Sequence, residues 1–291
     1  MFRTVWKSLC LLGFLSGAGA ATAADDPDVT IEKGIAYLGT DRKEQADLYR
    51  PTTLQPDVKY PGIVIIHGGG WSGGKRDAAR EINIGTTLVK NGYVGLSIDY
   101  VLQEKGAARI WPQNLNDCKT AVRWLRANAA KYQIDADHIG VIGGSAGGHL
   151  AAMVGVTGNS ADLPPVGPYG EFSSKVQAAI DLYGPLADRE KWIPTLVDPS
   201  NPHAAELTKQ ITPLSHLDKA DPPILILHGT ADTTVPVDDS ERFAAALTTA
   251  GVVNELIIIP DAPHTFHLQP KQRDLRPVVL GFFDKYLKPG R

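Results

Sequence analysis

Ser145 sits at the centre of Gly143-Gly144-Ser145-Ala146-Gly147, with Asp232 87 residues downstream and His264 a further 32 residues on. A serine hydroxyl is a poor nucleophile until a base removes its proton during attack, and an imidazole oriented by a carboxylate suits that task. The order nucleophile, acid, histidine is expected when such a triad is built on alternating strands and helices. The glycines two residues either side of Ser145 have a mechanical reason. A sharp strand-to-helix turn strains the serine backbone, and side chains at those flanks would strike the neighbouring strand and helix. The helix that follows aims its first N–H groups at negative charge formed beside the serine.

Such a turn needs a buried strand before it and a helix after it. His138-Ile139-Gly140-Val141-Ile142 supplies the first, and the small-residue stretch from Gly148 to Met153 the second. Upstream, residues 24–60 are polar with short strand-like pieces at Ile35–Tyr37 and Ala46–Tyr49, broken by Pro51 and Pro56, and read as an antiparallel edge. A buried strand over 62–66 runs into His67-Gly68-Gly69-Gly70-Trp71. A helix follows over 78–90, stopped by Asn91-Gly92, then a strand over 93–98 ending at Asp99-Tyr100. Leu115, Cys118, Val122, Leu125 and Ala129 recur at helical spacing and predict a helix over 113–131.

Residues 157–175 are rich in proline, glycine and serine and read as a surface loop. A strand over 176–182 leads into Tyr183-Gly184-Pro185, and the polar segment 186–221 could cap a site. The chain closes with strands over 223–227 and 252–259 and helices over 238–250 and 271–287. This alternation predicts an α/β fold, a mostly parallel sheet with helices on both faces, in one domain over 24–291. Ser145, the triglycine, Asp232 and His264 each follow a strand, at the carboxyl edge where functional residues of such sheets gather.

The 291 residues are 43% hydrophobic and 21% charged, ample for a large core. Residues 1–23 read as a secretory signal: Arg3 and Lys7, an apolar stretch from Leu9 to Leu15, and a small-residue cleavage site at Ala21-Thr22-Ala23. Cleavage would remove Cys10, leaving Cys118 without a disulfide partner and suited to packing. It would also leave 27 basic against 32 acidic residues, a formal charge of −5. With no basic cluster, nucleic acid is not an expected partner. No later apolar run is long enough to span a bilayer, so no stable membrane insertion is expected after cleavage.

The motifs His67-Gly68-Gly69-Gly70-Trp71 and Gly143-Gly144-Ser145-Ala146-Gly147-Gly148, with the late Asp/His pair, resemble an α/β-hydrolase-fold serine esterase over residues 46–288. The chain is similar to the hormone-sensitive-lipase-like esterases and to bacterial acetyl-xylan and feruloyl esterases. The lipase-like branch carries an acid immediately before the serine, whereas this chain has Gly144. That departure, Trp71 and the export signal favour the carbohydrate-esterase branch. The resemblance implies Ser145 as nucleophile, His264 as base and Asp232 as the group that orients it. The N–H groups of Gly69, Gly70 and Ala146 would receive the oxyanion, and Trp71 would wall the acyl pocket.

His267 competes with His264, but Ala262-Pro263-His264-Thr265-Phe266 matches the family's small-x-His-x-Phe turn. Asp238, Asp239 and Asp261 compete with Asp232, which lies four residues after His228 and before Val235-Pro236. His67 and His228 read as loop-orienting groups, His149 as packed, and Asp99-Tyr100 as the site floor. No residue cluster has metal-ligand spacing, and Lys75 is not followed by Ser or Thr as a phosphate loop requires, so no metal or cofactor is expected. The expected substrate is a small ester or an acylated plant polysaccharide, with acetyl or feruloyl groups; the oligomeric state is left open. A carboxylesterase without glycan preference is the alternative. A prolyl-oligopeptidase-like peptidase would need more than residues 24–60 in front of the domain. A non-catalytic binding protein on this fold would lack a triad member.

Overall fold

The computed structural model describes residues 26–158, 160–186 and 192–290. The signal-like residues 1–23 lie outside them. Eight strands form one sheet: β1 (Val29–Ile35), β2 (Ala46–Pro51), β3 (Tyr60–Ile66), β4 (Val94–Ile98), β5 (Ile134–Gly144), β6 (Ala178–Leu182), β7 (Ile224–Gly229) and β8 (Asn254–Ile259). Their spatial order is β1-β2-β4-β3-β5-β6-β7-β8. β1 and β2 pair antiparallel, β2 joins β4 antiparallel, and every later pair is parallel.

The inner strands read as continuous apolar runs because helices cover both faces. Side chains alternate across the pleat, so Val64 and Ile66 pack on one side and Ile63 and Ile65 on the other. The first side holds α2 (Gln113–Ala127), α4 (Ala146–Val156) and α7 (Val237–Ala250); the second holds α1 (Ala79–Lys90) and α8 (Arg276–Leu287). Between them come α3 (Ala129–Tyr132), α5 (Ile193–Leu196), α6 (Ala204–Ile211) and a 3-10 turn at Pro213–His216. The last three form the cap expected within 186–221, whose residues 187–191 are outside the description. Among the described residues, no helix is long and apolar enough to cross a membrane.

Several boundaries differ from the sequence expectation. The first strand lies at Val29–Ile35 rather than 35–37, because the register shifts between Glu32 and Ile35. Tyr37 leaves the sheet, turns inward and donates its hydroxyl to the Asp99 carbonyl at 2.6 Å. The expected helix over 113–131 breaks at Asn128 into α2 and α3. The last helix starts at Arg276 rather than 271: the Asp274 carboxylate accepts the Arg276 N–H at 3.0 Å, and Pro277 occupies the first turn, where no N–H is needed.

Candidate active site

The carboxyl ends of β3, β5, β7 and β8 bring the four sequence signals together. Ser145 leaves β5 with φ 57° and ψ −123°, a strained geometry at a sharp strand-to-helix turn. Its N–H donates to the Leu182 carbonyl at 2.8 Å, and its carbonyl accepts from His149 N–H at 3.0 Å. The flanking glycines are a steric necessity. A Cβ at Gly143 would overlap the Gly147 carbonyl, and one at Gly147 would overlap the carbonyls of Ile66 and His67.

The Ser145 hydroxyl donates to His264 Nε2 at 2.9 Å, and His264 Nδ1–H donates to Asp232 Oδ2 at 2.6 Å. The His264 side chain is 14% exposed, whereas that of Asp232 is fully buried. Four donors converge on the carboxylate. Oδ1 accepts the Thr234 and Val235 N–H groups at 2.8 and 2.9 Å, and Oδ2 accepts from His264 and, at 3.2 Å, from His228 Nε2–H. His228 also donates to the Val235 carbonyl at 3.0 Å and accepts from Ser240 Oγ–H at 2.7 Å. Burial lowers its pKa, which favours the neutral ring that accepts at Nδ1 while donating at Nε2. The competing His267 is exposed.

The triglycine loop bends over Ser145 with φ 121° at Gly69, 59° at Gly70 and 56° at Trp71. A Cβ at Gly68 would lie 3.2 Å from the Ser145 Cβ, so the loop and Ser145 touch. The Gly69 carbonyl accepts N–H groups from Ser72 and Gly73 at 3.2 and 3.0 Å, while the Gly69 and Gly70 N–H groups have no partner among the described residues. Ala146 opens α4, where first-turn N–H groups have no intrahelical acceptor. His67 fixes the root of the loop: Nδ1–H donates to the Gly68 carbonyl at 2.7 Å, and the ring stacks on Tyr100 at 4.4 Å. The Tyr100 hydroxyl donates to the His67 carbonyl at 3.0 Å, which ties Tyr100 to the root of the loop.

Trp71 is 2% exposed and meets His149 edge-on at 5.2 Å and Trp192 at 6.5 Å. With Pro185, Leu196 and Ile211 these residues surround a cavity of about 20 Å³. His149 is packed, as expected: Nε2–H donates to the Ile211 carbonyl at 2.6 Å, and burial pushes its pKa down to about 4. An open cleft of about 1030 Å³ begins at His67, Ser72 and Gly74, which flank the triglycine, and extends along Tyr100, Leu102 and Arg109; Ser145, Asp232 and His264 do not line it.

Two residues of this region escaped the sequence reading. Arg80 on α1 and Tyr183 after β6 lie directly behind the Ser145 turn. The Arg80 guanidinium stands where a side chain at position 144 would project, since a Cβ there would be 2.5 Å from Nη1. Tyr183 has φ 47° and meets His264 edge-on with ring centroids 4.9 Å apart. Its positive φ is masked in sequence, where only the following Gly184-Pro185 marks a turn.

A doubly covered parallel sheet with serine at a strand-to-helix elbow defines the α/β-hydrolase fold. Within it, the chain belongs to the BD-FAE family, whose model matches residues 46–247. Esterase LipQ of Mycobacterium tuberculosis is 32% identical over 247 residues, covering 80% of this chain and 57% of LipQ. The chain thus spans somewhat over half the length of that curated relative. Among solved structures, a truncated carbohydrate esterase from gut microbiota aligns with a TM-score of 0.79 at 30% identity, covering 91% of this chain and 99% of the other. The esterase Est2 of Thermogutta terrifontis with butyrate bound aligns with a TM-score of 0.71 at 27% identity, covering 91% and 97%.

Proposed function

We propose that this chain is an exported serine esterase that removes short acyl groups, acetyl foremost, from a hydrophilic alcohol such as a plant polysaccharide. The observation that carries the reading is the unbroken hydrogen-bonded line from Ser145 through His264 to Asp232 beneath an open triglycine loop. Ser145 Oγ attacks the ester carbonyl as its proton passes to His264 Nε2, and Asp232 stabilises the imidazolium. The tetrahedral intermediate places its oxyanion against the N–H groups of Gly69, Gly70 and Ala146; one such donor typically lowers the barrier by about 2.7–4 kcal/mol. His264 then protonates the leaving alcohol, and water, activated by the same imidazole, releases the acid from the acyl-enzyme.

Trp71 is held against His149 and Trp192, and these rings surround a small cavity of about 20 Å³ that none of Ser145, His264, Gly69, Gly70 or Ala146 lines; the acyl length is proposed from the family resemblance. The open 1030 Å³ cleft beside the loop offers space for a polymeric alcohol. The gut carbohydrate esterase and the butyrate-bound Est2 support the substrate class and the acyl length respectively. Export rests on residues 1–23, whose Arg3, Lys7 and apolar run have the form of a secretory signal.

An acyl series of p-nitrophenyl esters should peak between acetate and butyrate, and acetylated xylan should release acetate. An optimum at octanoate or longer would overturn the acyl reading. Activity on p-nitrophenyl acetate with none on any glycan would leave a general carboxylesterase.

A further inference from the structure

Arg80 is buried to an extent unusual for its type, with a side chain 13% exposed, and it lies outside the Ser145–His264–Asp232 line. Its guanidinium spends its donors in two directions. Nε and Nη2 donate to Glu81 Oε1 at 2.8 and 2.5 Å, and Nη1 donates to the Tyr183 hydroxyl at 2.8 Å. The Tyr183 hydroxyl in turn donates to the Phe266 carbonyl at 3.0 Å, two residues beyond His264. The Tyr183 ring meets both His264 and Phe266 edge-on, with centroids 4.9 and 4.5 Å away. Burial works against the Arg80 charge, but Tyr183 and Glu81 outweigh it and keep the guanidinium protonated.

The same guanidinium touches the other two parts of the machinery. A Cβ at Gly144 would lie 2.5 Å from Nη1 and 2.9 Å from the Tyr183 hydroxyl; one at Gly68 would lie 3.3 Å from Nη2. One planar cation therefore rests against the elbow and the root of the oxyanion loop and, through Tyr183, grips the loop that carries His264. A lysine could not divide its donors between Glu81 and Tyr183 in that fixed fork. The positive φ of Tyr183 fits this arrangement, since a bulky side chain in that region persists only where its surroundings over-determine it. The glycine at 144 acquires a reason too: the space an acid would fill is already occupied by a cation whose counter-charge comes from Glu81.

We propose that Arg80, acting through Tyr183, is a positioning residue that keeps the His264 loop in register with the elbow and the oxyanion loop. The inference rests on the reading of Ser145 and His264 as nucleophile and base. Displacement of a catalytic group by about 1 Å is enough to cost on the order of 10²-fold in rate.

The test uses Tyr183→Phe, which keeps the ring and removes the hydroxyl, and the paired Arg80→Gln/Glu81→Gln, which avoids stranding a buried Glu81 charge. Each should lower kcat on p-nitrophenyl acetate roughly 10–100-fold while KM stays within about twofold. The rate of fluorophosphonate labelling should fall by the same factor, with melting curves showing a folded protein. Because all three residues form one chain, the triple variant should be no slower than the worse of the two, a non-additivity that an unrelated structural defect would not produce. Unchanged kcat in folded Tyr183→Phe, a change confined to KM, or losses that multiply would overturn the proposal. If the paired variant fails to fold, Tyr183→Phe decides alone. Ser145→Ala run in parallel separates the two claims: retained activity there removes the serine reading, whereas lost activity with silent Tyr183→Phe removes only the role of Arg80.

Discussion

Ser145 stands between two histidines in very different settings. On the β7–β8 side, His264 has the serine hydroxyl on one nitrogen and a buried carboxylate on the other, and its ring keeps a sliver of solvent contact. On the cap side, His149 lies one helical turn from Ser145 among indoles, with the Ile211 carbonyl as its hydrogen-bond partner. A proton arriving at His264 meets the negative charge of Asp232. A proton arriving at His149 would meet a buried site with the Ile211 carbonyl but no carboxylate, and burial pushes its pKa down to about 4. On the proposed reading, residue type and nearness to Ser145 are thus insufficient to make a base; a carboxylate behind the ring makes the difference.

The largest test of this contrast is removal of the nucleophile. Ser145→Ala should lower turnover about 10⁶-fold, since triad members act as a unit, and should abolish fluorophosphonate labelling. His264→Ala should be of similar severity, whereas His267→Ala, at an exposed position three residues on, should leave turnover within a few-fold of the parent. The reverse ranking would assign the base to His267. His149→Asn should not approach the His264 loss; if it did, the cap-side histidine would be taking part in proton transfer.

Asp232→Asn probes the carboxylate itself. It preserves shape but favours the wrong imidazole tautomer, and a loss of about 10⁴ in kcat is expected. His228 sharpens the point, because its Nε2–H also donates to Asp232 Oδ2 while its Nδ1 accepts from Ser240, so both ring nitrogens are engaged away from the Ser145 hydroxyl. It cannot stand in as base, so activity in Asp232→Asn within tenfold of the parent would contradict the assignment.

The elbow, the triglycine and the late Asp/His pair were legible in sequence because each sits where a strand ends, and glycine spacing marks a turn with no room for side chains. The parallel sheet was legible for a related reason: strands buried on both faces read as short apolar runs. What stayed hidden depends on contacts distant in sequence. Lys119 and Arg123 lie on the polar side of α2 by periodicity, yet both are buried under the 157–175 loop. Lys119 donates to the carbonyls of Thr157 and Leu163 at 2.7 and 2.9 Å, and Arg123 to that of Val166 at 2.6 Å. Arg80 and Tyr183 escaped in the same way, being 103 residues apart and meeting only when α1, packed on β2, β3 and β4, brings Arg80 to the turn after β6. Periodicity records which face is apolar, not which polar side chain a later loop will cover.

The last predicted effect concerns stability rather than rate, and it isolates the cap-side histidine. The His149 pKa falls from the ordinary 6.5 to about 4 on folding, with burial as the cause and the Ile211 carbonyl pulling weakly the other way. Between those values the unfolded chain binds a proton that the folded chain does not, so stability is lost as pH falls from about 6.5 towards 4. From this group alone the loss between pH 7 and pH 4 is roughly 3 kcal/mol. Asp181 acts with the opposite sign. Burial holds its pKa well above the usual range, so its contribution is full at low pH and lost as pH rises above 3.8. The raw pH–stability curve therefore mixes the two. His149→Asn removes the titrating ring while keeping an amide donor near the Ile211 carbonyl. The difference in urea-unfolding free energy between parent and variant should therefore shift by roughly 3 kcal/mol between pH 7 and pH 4, the parent losing more. Parallel curves across that range would mean that His149 takes up a proton in the folded protein as readily as in the unfolded chain, and the contrast with His264 would lose its physical basis.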